Sequence, residues 1–306
     1  MQVHRSIDSL PHFRNAVVTI GTFDGVHLGH QKIISVLVQE AKAVHGESVI
    51  ITFDPHPRKI IKPANDLQLI NTLEEKIGLL QKKDIDHLVI VPFTEAFSEQ
   101  PADLYIQDFL IRLFRPHTII IGYDHHFGKD RKGNYRLLEE KASVYNYRLL
   151  EIPKHVLDEI AISSTKIREA LLQSKIETAN RLLGYDFFFE GIVVEGAKLG
   201  RQLGYPTANL KYTNEDKIHL GDGVFAVYVS VEDELKKGMM SIGNRPTFND
   251  TTENVEVNIF DFDKNIYSRK LRVIVKKFLR PQEKYGDIET LKAQIEMDKI
   301  ASLKLL

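Results

Sequence analysis

VVTIGTFDGVHLGHQKII, residues 17–34, begins as an unbroken β-branched apolar run and passes without proline into an amphipathic stretch. Between the two lie Gly21, Gly25 and Gly29, with His27 and His30 three residues apart. A strand that is apolar at every position is one buried on both faces, which is the habit of parallel sheets flanked by helices. SVIITF (48–53), HLVIV (87–91) and TIIIG (118–122) repeat the pattern, and Glu74–Lys83, Asp103–Phe114 and Tyr135–Tyr145 carry helical spacing between them. This alternation predicts a doubly wound parallel sheet over 15–150, with ligands bound beyond the C-terminal strand ends, where the glycine-rich and charged loops fall.

After about Gly184 the texture changes. DFFFEGIVVE, GVFAVYVSV, MMSIG, VEVNIFDF and RKLRVIVKKF follow one another through Gly, Asn and Asp turns, and helical spacing returns only from about Asp287. Successive strands without intervening helices predict a small antiparallel sheet or barrel. The expected fold is α/β plus β, with one domain over 1–184 and a second over 185–306.

The 306 residues suit two domains, and the 43% hydrophobic content can fill a core in each. Charges nearly cancel, 41 basic against 42 acidic, which argues against a general pull on nucleic acid or anionic membrane. With no cysteine there are no disulfides, thiolate metal sites or cysteine nucleophiles. The N-terminus lacks a secretory pattern and no apolar run reaches the roughly 18 residues that span a bilayer, so the expectation is a cytoplasmic protein without membrane or nucleic-acid partners. Nothing in the sequence fixes an oligomeric state.

A glycine loop that leads from a strand into a helix offers unpaired N–H groups and a positive dipole end to an anion such as a nucleotide triphosphate. His27 and His30 can face one side of the first helical turn, where two N–H donors would follow charge onto an α-phosphate. A bare histidine pair is more often a cap or a surface feature. A zinc site completed by His125 and His126 is a second alternative. The strand, the glycines and Asp24 favour phosphate. A further stretch, AISSTKIREALL (161–172), has Ser163 or Ser164 as N-cap with Lys166 and Arg168 close behind, a set suited to departing phosphates and equally to a well-capped surface helix.

GTFDGVHLGH (21–30) and ISSTKIR (162–168) resemble the paired signatures of the HxGH nucleotidyltransferase superfamily. The resemblance implies that His27 and His30 act at the α-phosphate and that Ser164, Thr165 and Arg168 grip the triphosphate. Gly21, Thr22, Phe23, Asp24, Gly29 and Ser163 would supply the remaining nucleotide contacts. FDPHP (53–57) and IGYDHHFGKDRKGN (121–134) are similar to the segments that the flavin-adenylylating branch uses, which implies Asp54, His56, Asp124 and Phe127 as flavin contacts. Many relatives have Asn and bulky hydrophobes where this chain has Asp124 and His125.

In the second half, EGAKLGRQLGYPTANL (195–210) sets Gly200, Arg201 and Gly204 ahead of Thr207 and Asn209. A glycine loop can wrap a polyphosphate, and two neutral oxygen ligands suit Mg²⁺. Along VEVNIFDF (255–262), alternation puts Val255, Val257 and Ile259 on one face, Glu256 and Asn258 on the other. A carboxylate there can take a proton from an attacking alcohol, although alternation alone describes an ordinary solvated glutamate better. GRQLGYPTANL, GDGVFAV, SIGNRPTF, VEVNIF and FLRPQEKY, in this order, resemble the riboflavin kinase family. That family has a six-stranded barrel, and the resemblance implies MgATP bound through Thr207 and Asn209, with Glu256 as base on the riboflavin 5′-hydroxyl. SIGNRPTF has Ser241 where asparagine is common.

Adenylyltransferase first and kinase second is the order of the bifunctional bacterial FAD synthetases. The implied substrates and products are riboflavin, FMN, FAD and ATP, with Mg²⁺ and no prosthetic group. A cytidylyltransferase acting on a phospho-alcohol shares the N-terminal opening, but the flavin-branch segments disfavour it. A purely flavin-sensing barrel would need neither Glu256 nor magnesium ligands.

Overall fold

The computed structural model describes residues 1–61, 67–153, 162–196, 199–232, 234–244 and 253–306. Arg245–Phe248 of SIGNRPTF and Ala197–Lys198 of the glycine loop lie outside them. The chain packs into two compact units, Met1–Leu67 with Thr72–Ser163, and Gln68–Asn71 with Ser164–Leu306.

The first unit is a parallel six-stranded sheet: β1 (Gln2–His4), β2 (Val17–Ile20), β3 (Ser48–Asp54), β4 (His87–Pro92), β5 (Thr118–Gly122) and β6 (Arg148–Ile152). Their order is β1-β4-β3-β2-β5-β6. β1 and β6 carry too few buried apolar residues to show as strands in the sequence, and pairing with β4 and β5 makes them the two edges. Because successive side chains point to opposite faces, each central strand feeds two cores. Val18, Ile20, Val49, Ile51, Ile119 and Ile121 face one way, onto Phe13, Tyr105, Phe109 and Leu138. Val17, Ile50, Leu88, Ile90 and Ile120 face the other, under Ile34, Leu37, Ile77 and Leu80 of α1 (Leu28–Ala43) and α2 (Leu73–Leu80). The chain moves from β2 to β3 and β4 on one side, then places β5 on the other side of β2. That reversal opens a crevice at the C-terminal ends of β2 and β5, the position where open α/β sheets bind ligands.

Helix α3, residues 102–114, departs from simple α geometry: its middle, Tyr105–Ile111, winds as a π-helix. The wider turn brings Tyr105, Ile106, Phe109 and Leu110 together on the buried side. Helix α4 (Tyr135–Tyr145) follows.

In the second unit β7 (Phe188–Val194), β8 (Ala208–Tyr212), β9 (Gly223–Val231), β10 (Glu234–Asn244), β11 (Glu253–Ile259) and β12 (Lys270–Arg280) close into a barrel in the order β10-β11-β8-β7-β12-β9. Antiparallel closure removes the open edges that an isolated small sheet would leave. Inward positions alternate, as with Val255, Val257 and Ile259 on β11 and Leu271, Val273 and Val275 on β12. Helices α5 (Ser164–Leu172) and α6 (Ile176–Leu183) precede the barrel, and α7 (Ile288–Leu305), capped by Asp287, follows it. Lys217, 1% exposed, explains why Gln68–Asn71 belongs here: its Nζ donates at 2.7 Å to the carbonyls of Ile70 and Phe188.

Candidate active sites

The phosphate loop of the first unit starts where β2 ends. Gly21 N–H donates to Ile51 O at 3.0 Å, and the chain then turns through positive φ at Phe23 (48°), Gly25 (86°) and Val26 (36°). His27 is the N-cap of α1; its Nδ1 accepts the His30 backbone N–H at 3.3 Å. A ring nitrogen that accepts carries no proton, so the neutral His27 ring presents its N–H at Nε2. The ring lies over Gly29, where a Cβ would sit 3.2 Å from Cε1 and Nδ1, and it stacks on His30 with centroids 3.6 Å apart and planes 16° apart. Glycine between the histidines leaves the His27 ring room to lie close over the backbone, where a Cβ would press on it. The expected cap role and the expected pairing are therefore the same geometry.

Burial first, then its neighbours His27 and Lys76, holds His30 well below its ordinary pKa. His30 Nδ1 is buried and has no hydrogen-bond partner among the described residues. The first turn of α1 carries no acidic side chain to compete with an anion. Asp24 is buried at 1% exposure, and Lys76, which the sequence reading passed over, donates from α2 to the Thr22 carbonyl at 2.8 Å. An amphipathic helix pattern treats such a lysine as surface; only the tertiary structure shows it inside.

Asp54 ends β3 and His56 follows it, and Asp124 and Phe127 follow β5, so the strand order sets them on either side of the histidine loop at the same sheet edge. His56 Nδ1 accepts the Arg58 N–H at 3.2 Å, and Phe127 stacks on Tyr105 at 4.9 Å. His125 is pushed down to about 4 by burial, then by His126 and Arg131, and its Nε2 has no hydrogen-bond partner among the described residues. No group of three or more His, Cys, Asp or Glu among the described residues is arranged to hold a metal, so the zinc alternative with His27 and His30 gains no support. Ser163 ends the first unit. Ser164, Thr165 and Arg168 open α5, which packs in the second unit, where Arg168 Nε donates to Gln68 O at 2.8 Å.

The barrel brings its three predicted polar residues together. Glu256 on β11 pairs in register with Asn209 on β8, and Thr207 Oγ1 donates to Glu256 Oε2 at 3.2 Å. Asn209 is thus a strand residue, one position past the start of β8. Asn254, two residues before Glu256 and on the same face, donates to Glu256 Oε1 at 2.6 Å. Asn258, the next on that face, is buried and donates to Pro206 O at 2.7 Å. The glycines make room: a Cβ on Gly196 would lie 2.2 Å from Asn209 Nδ2, and one on Gly200 would lie 2.4 Å from Tyr205 O and 3.1 Å from Thr207 Oγ1. Gly200 and Arg201 form a single turn, Leu199–Gln202, and Gly204 takes φ 87°. A cleft of about 440 Å³ opens beside them, lined by Arg201, Thr207, Val257, Ile259, Phe262 and Tyr267 among others.

Comparison with known proteins finds relatives for both halves of the chain. The FAD synthetase family model matches residues 10–166 and the riboflavin kinase model residues 183–306. Relatives named bifunctional riboflavin kinase/FMN adenylyltransferase are 38% identical in Buchnera aphidicola subsp. Schizaphis graminum, over 97% of this chain and 96% of theirs. Those of Listeria monocytogenes are 36% identical over 93% and 90%, and those of Bacillus subtilis 34% over 94% and 92%. The chain belongs to this family. A bifunctional riboflavin kinase/FMN adenylyltransferase phosphorylates riboflavin with ATP and then adenylylates the FMN to FAD. The crystal structure of a Streptococcus pneumoniae protein described as a macrolide-efflux protein superimposes with TM-score 0.88 at 29% identity, covering 98% of each chain. Fold alone does not carry function, and among the described residues no helix is long and apolar enough to cross a membrane.

Proposed function

We propose that residues 1–184 carry adenylyl transfer and residues 185–306 carry riboflavin phosphorylation, with the residues of each reaction as follows. In the first, an FMN phosphate oxygen attacks the α-phosphorus of ATP and the bond to the β-phosphate oxygen breaks, releasing pyrophosphate. His27, through Nε2–H, and His30 donate to the α-phosphate oxygens as charge builds there, at a helix N-terminus that already favours anions. Neutral, pre-stacked donors need no reorganisation at the moment of reaction. Asp54, His56, Asp124 and Phe127 bind the flavin, and Gly21, Thr22, Phe23, Asp24 and Gly29 line the nucleotide. Ser163, Ser164, Thr165 and Arg168 are assigned to the triphosphate by their motif alone.

In the second reaction the riboflavin 5′-hydroxyl attacks the γ-phosphorus of ATP, its proton passes to Glu256, and ADP leaves. The observation that carries this reading is the convergence of Thr207, Asn209 and Glu256, from stretches about fifty residues apart, on one patch beside the cleft. Hard oxygen donors in a cradle that glycines keep open fit Mg²⁺, which Thr207 and Asn209 would hold and which supplies charge neutralisation on the phosphates. Gly200, Arg201 and Gly204 wrap the polyphosphate. Dependence on ATP and the absence of cysteine suit the cytoplasm.

Chromatography of flavins after incubation with riboflavin, ATP and Mg²⁺ tests the division. The expected course is FMN followed by FAD. Glu256→Gln should stop FMN formation yet still convert supplied FMN to FAD, and His30→Ala should do the reverse. Loss of both activities in either variant would refute it.

A further inference from the structure

Thr22 opens the loop that carries the two histidines, and its carbonyl oxygen accepts two side-chain bonds. Lys76 Nζ donates from α2 at 2.8 Å and Thr52 Oγ1 from β3 at 3.2 Å. Both donors are buried, Lys76 at 6% and Thr52 at 0% exposure. The loop between this grip and α1 is strained, since Phe23 and the β-branched Val26 hold φ of 48° and 36°. Such backbone persists only where its surroundings over-determine it.

A buried lysine is a costly way to fill space. Methionine occupies similar volume without an ammonium to strip of water. Burial lowers the pKa of Lys76, and the opposing charges of Asp24, inside the loop, and Asp54, at the end of β3, raise it again. The start of α2 is itself fixed: Thr72 and Glu75 form a reciprocal capping box one residue ahead of Lys76. The lysine is therefore carried on a fixed helix start, and its ammonium is directed at the loop.

We propose that Lys76 is a positioning residue for adenylyl transfer, fixing the Thr22 carbonyl so that the strained loop sets His27 and His30 against the α-phosphate. This rests on the assignment of the two histidines to that phosphate. The Lys76 ammonium, held on the loop at the Thr22 carbonyl, also favours the neutral ring of His30.

The test measures FAD formation from FMN and ATP by Lys76→Met, Lys76→Arg, Thr52→Val and His30→Ala, with FMN formation by the same preparations as the internal control. Because misplacement of a catalytic group by about 1 Å can cost roughly 100-fold, Lys76→Met should lower kcat by about 10- to 100-fold. The KM for ATP should move far less, and Lys76→Arg, which keeps charge and donors, should recover part of the loss. Thr52→Val, nearly isosteric and safe for folding, should lower kcat by a smaller factor. A lysine that only fills the core would be replaceable by methionine. If Lys76→Met and Thr52→Val both keep wild-type kcat, the tether is wrong; if Lys76→Met does not fold, an unchanged Thr52→Val overturns the proposal by itself. An inactive His30→Ala beside an active Lys76→Met leaves the histidines standing without the tether, whereas an active His30→Ala removes the histidine assignment instead.

Discussion

At the scale of single residues, the first unit keeps imidazoles neutral by burying them. His30 sits well below its ordinary pKa and His125 at about 4, each with a buried ring nitrogen that finds no partner among the described residues. His125 lies past β5, next to the crevice, with its ring 5.7 Å from Phe127. In the unfolded chain a histidine titrates near 6.5, so as pH falls below that value the unfolded state binds protons that the folded state refuses. Stability from a neutral His125 is therefore full above pH 6.5 and is lost as pH falls toward 4. His125→Phe keeps the ring contact and removes the titration. Urea unfolding at pH 7 and pH 5 should show the wild type losing about 1–2 kcal/mol more than the variant. Equal losses would mean that His125 is solvated and titrates normally. Lys76 and His125 mark where residue-level reading of the sequence stops, because charge and aromatic character are visible there while burial is not.

Elements were far more legible than their details. β2, β3, β4 and β5 are continuous apolar runs, and α1 begins at Leu28, where the strand-to-helix glycine loop placed it, because a sheet buried on both faces and a glycine-marked helix start leave strong patterns. β6 was hidden: Arg148–Ile152 alternates weakly, with Arg148 and Glu151 exposed, and only its pairing with β5 makes it a strand. β8 was read as loop because Pro206 and the glycines ahead of it dominate the local signal, whereas the partners that define it lie on β7 and β11. The wide turns of α3 leave no mark that distinguishes them from α-helix. The final helix, α7, was expected from Asp287, but what attaches it to the barrel was not. Arg280 on β12 grips Asp298 through Nε at 3.0 Å and Nη2 at 2.7 Å, and Gln294 adds a bond at 2.9 Å. Asp298 is 7% exposed, so Asp298→Asn leaves a largely enclosed guanidinium without its counter-charge. Breaking one side of such a pair costs roughly 3–5 kcal/mol at full burial, and Arg280 is 17% exposed, so a loss of about 3 kcal/mol is expected in denaturant unfolding. The exposed pair Lys264–Glu232 should be removable without measurable change, and a comparable loss there would contradict the role of burial.

Across the whole molecule, two chemistries share a currency: FMN is the product of one and the substrate of the other. The sequence made this order legible because each half carries local signatures, GTFDGVHLGH in one stretch and PTAN with Glu256 in another. What it left unread is how the chain is parcelled, since Gln68–Asn71 pack with the barrel unit although they fall deep in the N-terminal half. Residues of the histidine loop and the Thr207–Asn209–Glu256 patch nonetheless belong to different compact units, and the bonds from His30 N–H to His27 and from Thr207 and Asn254 to Glu256 each stay within one unit. On the proposed division of labour, damage to the histidine loop should leave phosphorylation of riboflavin intact, and damage to Glu256 should leave adenylyl transfer intact. Two chains that each lack one activity should then complement each other through FMN in solution. Mixed Glu256→Gln and His30→Ala proteins, given riboflavin and ATP, are expected to form FAD after a lag while FMN accumulates, although neither does so alone. The lag should shorten as the concentration of the His30→Ala chain rises, because that chain supplies the FMN. A mixture that makes FMN but no FAD would show that adenylyl transfer requires an intact kinase site in the same chain, and independence of the two sites would fall.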